Sequence, residues 1–132
     1  MNGNEAVTAI ATYLSTNQSV KVFKYEKSPN YSGEYIVVNS LPFTFGSAVN
    51  VNDCINVNVH VPDNTNTELN AKRLTELAAV ILDLIPTYGD TEDSPMLEID
   101  GCYYAISSDS NYMADTDSTH FINYKILVIS KK

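Results

Sequence analysis

Cys54-Ile-Asn-Val-Asn-Val-His-Val61 alternates with a strict period of two, and its reading decides the fold of the chain. Successive side chains of an extended strand point to opposite faces. Ile55, Val57, Val59 and Val61 therefore share one side, and Asn56, Asn58 and His60 the other. The aliphatic side predicts a buried core. The other side is polar without being charged, and neutral groups cost less to desolvate than ions. Two readings of that side stand: a solvated face, or a surface made to be covered by a partner, with Asn56, Asn58 and His60 as its contact residues.

Downstream, Thr65-Asn-Thr-Glu68 fits a capping box, with Thr65 as cap and Glu68 reaching back to its amide. Ala71, Leu74, Ala78, Ile81, Leu82 and Ile85 recur at helical spacing, and Leu77, Val80 and Leu84 widen the stripe. The pattern predicts a long helix that starts near Glu68, covers the sheet and stops at Ile85-Pro86. An acidic loop spans Tyr88 to Pro95. Met96–Asp100 and Cys102–Ser107 then read as a strand pair, because Asp-Gly at 100–101 is a strong hairpin signal. The acidic stretch Met113-Ala-Asp-Thr-Asp-Ser-Thr-His120 reads as a loop feeding a last strand, Phe121 to Ser130, apolar on both sides and therefore expected either at the centre of a sheet or under a neighbouring subunit.

Upstream, Asn4 to Ser15 predicts a first helix capped by Asn4, with Val7, Ile10, Ala11 and Leu14 on one stripe. Val20–Tyr25 is a strand, Lys27 to Gly33 a turn, and Glu34–Asn39 a second strand covered on both faces. The link from Leu41 to Asp53 holds Phe43 and Phe45, which either form a contact surface or tuck into the core. The sum is one α+β domain over residues 1–132: an antiparallel or mixed sheet packed against a long helix and an N-terminal helix.

At 132 residues the chain suits one modest core. A formal charge of −8 with scattered lysines argues against a sequence-independent grip on nucleic acid, which needs clustered cations. No apolar run approaches the roughly 20 residues that span a bilayer, so no membrane partner is expected. The first residues lack a basic segment ahead of an apolar one, so no signal peptide is expected either. Cys54 and Cys102 are too few for a metal finger and read as reduced core or edge thiols, with a disulfide between them as the alternative.

Candidate chemistry is sparse. Asp115-x-Asp117-x-Thr119 has some of the character of a calcium loop but lacks the glycine and glutamate that shape one. His60 and His120 have no metal-ligand spacing around them. The glycines are isolated, and no serine sits in a nucleophile elbow. Neither catalysis nor a cofactor nor a bound metal is expected.

The order of elements resembles the tail-terminator, or tail-completion, proteins of long-tailed bacteriophages and prophages. The resemblance rests on the opening helix and strand, the Glu34-Tyr-Ile-Val-Val-Asn39 strand and the alternating Asn56–Val61 strand. It continues in the helix ending at Leu84-Ile-Pro86, and in the Asp-rich turn with His120 before the closing strand. It implies a small α+β subunit that forms a homo-oligomeric ring, usually a hexamer, on the head-proximal end of the tail tube. Its implied partners are the tail-tube protein and neck or connector proteins, with DNA passing through the ring unbound. The implied location is the virion tail or neck, and the host cytoplasm during assembly. Phe43, Phe45, Asn56, Asn58, His60, Asp115 and Asp117 are then the candidate interface residues. The alternatives are a head–tail adaptor or minor tail protein, or a small cation-binding module using the acidic loop.

Overall fold

The computed structural model of the chain describes residues 3–40, 53–63, 69–89, 94–110, 112–114 and 118–130. Helix α1 (Gly3–Asn17) leads into strands β1 (Lys21–Lys24), β2 (Tyr35–Ser40) and β3 (Asp53–Pro62). Helix α2 (Ala71–Leu84) follows, then β4 (Leu97–Ile99), β5 (Cys102–Asp109), β6 (Met113–Ala114) and β7 (Thr119–Ser130). The strands form one mixed sheet in the order β1-β2-β3-β7-β5-β4, with the short β6 also paired to β7. Only the β1–β2 pair is parallel; the others are antiparallel.

The aliphatic side of β3 is the floor of the core. Ile55, Val57 and Val59 have no exposed surface and Val61 keeps 2%. They pack with Ile36 and Val38 of β2, with Ile122, Tyr124, Ile126 and Val128 of β7, and with Tyr104 and Ile106 of β5. Both helices cover this one side. α1 contributes Val7, Ile10 and Leu14, and α2 contributes Leu74, Leu77 and Ile81. The helices also meet each other, where the Tyr13 hydroxyl donates to the Leu84 carbonyl at 2.8 Å. Burying one large aliphatic side chain stabilises by about 1.5–3 kcal/mol, so this layer outweighs any single polar contact in the molecule.

The α+β architecture agrees with the sequence reading, but the second helix is not long. It has 14 residues, one fewer than α1, and Leu69 and Asn70 precede it outside the helix. Asn70 is its cap: the Asn70 side-chain oxygen accepts from the Arg73 backbone N–H at 3.3 Å. Thr65 and Glu68 lie outside the described residues. At the other end, Ile85 is extended (φ −125°, ψ 121°), as a residue before proline must be, and the helix stops there. Asn4 does not cap α1. The helix already includes Gly3, and the Asn4 side-chain oxygen instead accepts from the Tyr25 hydroxyl at 2.8 Å.

The expected hairpin is present. Asp100 and Gly101 both have positive φ (51° and 84°), the left-handed pair that a tight two-residue connection between twisted strands requires. Strand β6 was not expected. Met113 and Ala114, read from sequence as the start of a loop, pair with Phe121 and His120.

Two core tyrosines give the fold an alkaline limit. Burial pushes the phenols of Tyr104 and Tyr124 up from 10.0 to about 12. Below pH 10 they are neutral in both folded and unfolded chains. Between about 10 and about 12 the unfolded chain ionises first, so stability present below that window falls as pH rises through it. Urea unfolding across this range should show the loss, and a tyrosinate absorbance titration should show a late phase. The Tyr104→Phe, Tyr124→Phe double variant should remove the late phase and flatten the loss.

Candidate functional site: the open face of the sheet

Both described helices lie on one side, and no described element covers the other side of the sheet, the open face, which carries a second, differently composed layer. The register places its residues in rows across the strands. Tyr35, His60 and Phe121 form one row, Val37, Asn58 and Asn123 the next, and Asn39, Asn56 and Lys125 the third. Cys54, Leu127 and Ala105 follow, then Ile129 and Tyr103.

The first row is a stack of rings. His60 lies 4.4 Å from Tyr35 at an interplanar angle of 9°, and 4.7 Å from Phe121 at 22°. The stack continues edge-on through Phe23 and Tyr31, each 6.2 Å from Tyr35. The Lys27 ammonium sits 5.9 Å from the Tyr35 ring centroid and the Lys21 ammonium 5.5 Å from that of Phe23. Neighbours on both sides leave His60 only 7% exposed.

The next two rows are joined by amides. Asn123 donates through Nδ2 to Asn58 Oδ1 at 2.7 Å and to Asn56 Oδ1 at 3.2 Å, and Asn56 Nδ2 donates to Asn39 Oδ1 at 3.0 Å. Each of these side chains is half-buried. Each amide thus has at least one partner within the chain, so a partner covering the face meets groups already partly satisfied, and the cost of removing water from them is reduced. A depression of about 490 Å³ opens beside the ring stack, lined by Tyr35, Asn58, His60 and Phe121 together with Tyr25, Glu26 and Lys27.

The charge distribution is uneven. The chain carries 16 carboxylates. None lies among the described open-face residues of β2, β3 and β7, where Lys125 is the one fixed charge. This layer also keeps the two thiols apart. Cys54 is on the open face and Cys102 in the core on the other side, and no disulfide joins them.

Two polar pairs close the periphery. His120 Nδ1 and Asp63 Oδ1 are 2.5 Å apart at the end of the β3–β7 ladder, where the Asp63 N–H also donates to the Ser118 carbonyl at 2.9 Å. Beside them the buried Thr119 hydroxyl has no hydrogen-bond partner among the described residues. Arg73 grips Glu34 with two bonds, of 2.5 and 2.8 Å, tying α2 to the start of β2. The hydrogen bond to Glu34 raises the Arg73 pKa against burial, which lowers it. With 38% of the Arg73 side chain exposed, water screens the pair and its contribution is about 1 kcal/mol or less.

Of the sequence candidates, Asn56, Asn58 and His60 fall together on this face. Phe43, Phe45, Asp115 and Asp117 lie outside the described residues. Tyr35, Asn39, Phe121 and Asn123 complete the face and were not candidates, although each occupies an outward position of a recognisable strand. The Asp63–His120 and Glu34–Arg73 pairs join residues 57 and 39 positions apart, which no local pattern signals. Among the described residues no group of three or more His, Cys, Asp or Glu could hold a metal ion. The chain matches no protein-family model, and no curated protein or solved structure matches it significantly.

The direction of the amide chain is testable. Asn123→Ala removes the donor shared by Asn56 and Asn58 and should destabilise the protein by about 1 kcal/mol in urea unfolding. Asn123→Asp, nearly the same shape, sets a carboxylate against two acceptor oxygens and should cost more than alanine. An aspartate variant as stable as wild type would mean that the amides do not donate in this direction.

Proposed function

We propose that the chain is a tail-terminator subunit of a long-tailed bacteriophage or prophage. In this reading it is a structural protein without catalytic activity. Its copies close into a ring, six by the usual arrangement of that family, on the head-proximal end of the tail tube, and join the tube to the neck. The virion tail or neck is then its location, and the host cytoplasm its place of assembly. No described helix is long and apolar enough to cross a membrane.

The observation that carries the reading is the open sheet face. In a chain of net charge −8, the described open-face residues of β2, β3 and β7 include no carboxylate, and four asparagines there are linked to one another by hydrogen bonds. Depletion of charge with enrichment in aromatic rings is the composition of the covered centre of a protein interface. The element order on which the family resemblance rests, helix, strands, helix and closing strand, is also the order of the fold. The acidity suits a ring through which DNA slides, because like charge disfavours adhesion.

Light scattering coupled to size exclusion, with negative-stain microscopy, tests the assembly. The expected particle has a mass near six times the 14.6 kDa chain and a ring outline with a central hole. A monodisperse monomer at the highest concentration the protein tolerates would overturn the proposal.

A further inference from the structure

The two ends of the sheet carry opposite charge. β1, at one end, is Lys21-Val-Phe-Lys24 with both lysines exposed, and the connection to β2 adds Glu26 and Lys27, so this end is net positive. Three of the five described lysines are therefore at this end. β4, at the other end, is Leu97-Glu-Ile99 with Glu98 exposed, and the exposed Asp100 follows at the hairpin. Among the described residues neither β1 nor β4 has a strand on its outer side. The remaining outer edge of β5 is occupied: Tyr88 N–H donates to the Ile106 carbonyl and Ile106 N–H to the Pro86 carbonyl, both at 2.8 Å. Beside β1 a groove of about 540 Å³ lies between the strand and α1, lined by Thr12, Ser15 and Thr16 on the helix and by Lys21, Val22 and Lys24 on the strand.

Free strand edges pair readily with other chains unless something prevents it. Here the charges choose among the possible pairings. Two β1 edges meeting each other would bring lysine against lysine, and two β4 edges would bring carboxylate against carboxylate. A β1 edge meeting a β4 edge brings opposite charges together. Two-fold contacts are disfavoured and head-to-tail contact is favoured, and head-to-tail contacts generate rings when the rotation closes.

Resting on the ring reading above, we propose that the β1 edge of each copy seats against the β4 edge of the next, so that the sheet continues from subunit to subunit. The strand directions fit a cyclic arrangement. β1 runs parallel to β2, and the four antiparallel steps from β2 through β3, β7 and β5 to β4 restore the same direction. Rotation about an axis along the strands preserves direction, so β4 meets the next β1 in parallel. This assigns ring closure to the sheet edges and leaves the open face for the tube or neck partner.

Charge exchange tests the contact. One variant carries Lys21→Glu and Lys24→Glu. The other carries Glu98→Lys and Asp100→Asn, asparagine being the residue that keeps the left-handed turn. Circular dichroism checks that each is folded. A variant that fails this check is replaced by its alanine counterpart at the lysine or glutamate positions. Each variant alone should assemble more weakly than wild type by on the order of 100-fold, since like charges set face to face cost several kcal/mol. An equimolar mixture should recover the wild-type mass, because each variant offers the edge that the other lacks and an even-numbered ring can alternate them. Full assembly of either folded variant alone, or no recovery in the mixture, overturns the edge contact while leaving a wild-type ring standing. A monomeric wild type overturns both.

Discussion

Ten consecutive residue pairs between β3 and β7, from Asp53 opposite Val128 to Pro62 opposite Thr119, hold the molecule in one arrangement. The side-chain period of a strand is two, so a slip of one residue would send the four aliphatics of β3 outward and drive Asn56, Asn58 and His60 under the helices. That exchange would lose several buried aliphatic side chains at about 1.5–3 kcal/mol each. It would also leave amides without partners in the core, at about 1–3 kcal/mol for each unsatisfied group. The helix layer, the amide chain and the ring stack all depend on this one register. The Asp63–His120 pair sits at its end, where a slip would separate the partners.

The elements read from sequence are those whose period the core enforces. The alternation of β3, the stripe of α2 and the doubly apolar β7 each carry a local signature of burial, the Asp100-Gly101 turn carries one of left-handed backbone, and each is present. The misjudged boundaries are places where a local group had a competing role. Asn70, rather than a residue farther upstream, caps α2 because its side chain reaches the Arg73 amide. Asn4 lies inside α1 and serves Tyr25 instead. β6 is two residues long and exists only because the edge of β7 beyond β5 is there to pair with it, a condition that residues 113–114 do not encode.

The open face was half legible. Its β3 residues are visible in the alternation, but what makes them a surface is which strands lie beside β3, and that is a long-range property. Asn123 meets Asn58 across 65 positions of sequence. The strand order that puts Lys21 and Glu98 at opposite ends of the sheet is equally hidden, since these residues look like unrelated solubilising charges in the chain. Topology turns scattered charges into a pattern.

The connection between β3 and β7 also has a consequence in time. Some sixty residues separate the partners, and contacts so distant in sequence form late, because the entropy of closing the loop must be met before any ladder bond forms. As the chain is synthesised, β2 and β3 emerge well before β7, and the side of β3 awaiting β7 stays open meanwhile. Such an edge is a template for pairing with the wrong chain. Residues 54–61 carry no fixed charge and are rich in β-branched side chains, so until β7 arrives this strand has the composition that pairs readily with its own copies.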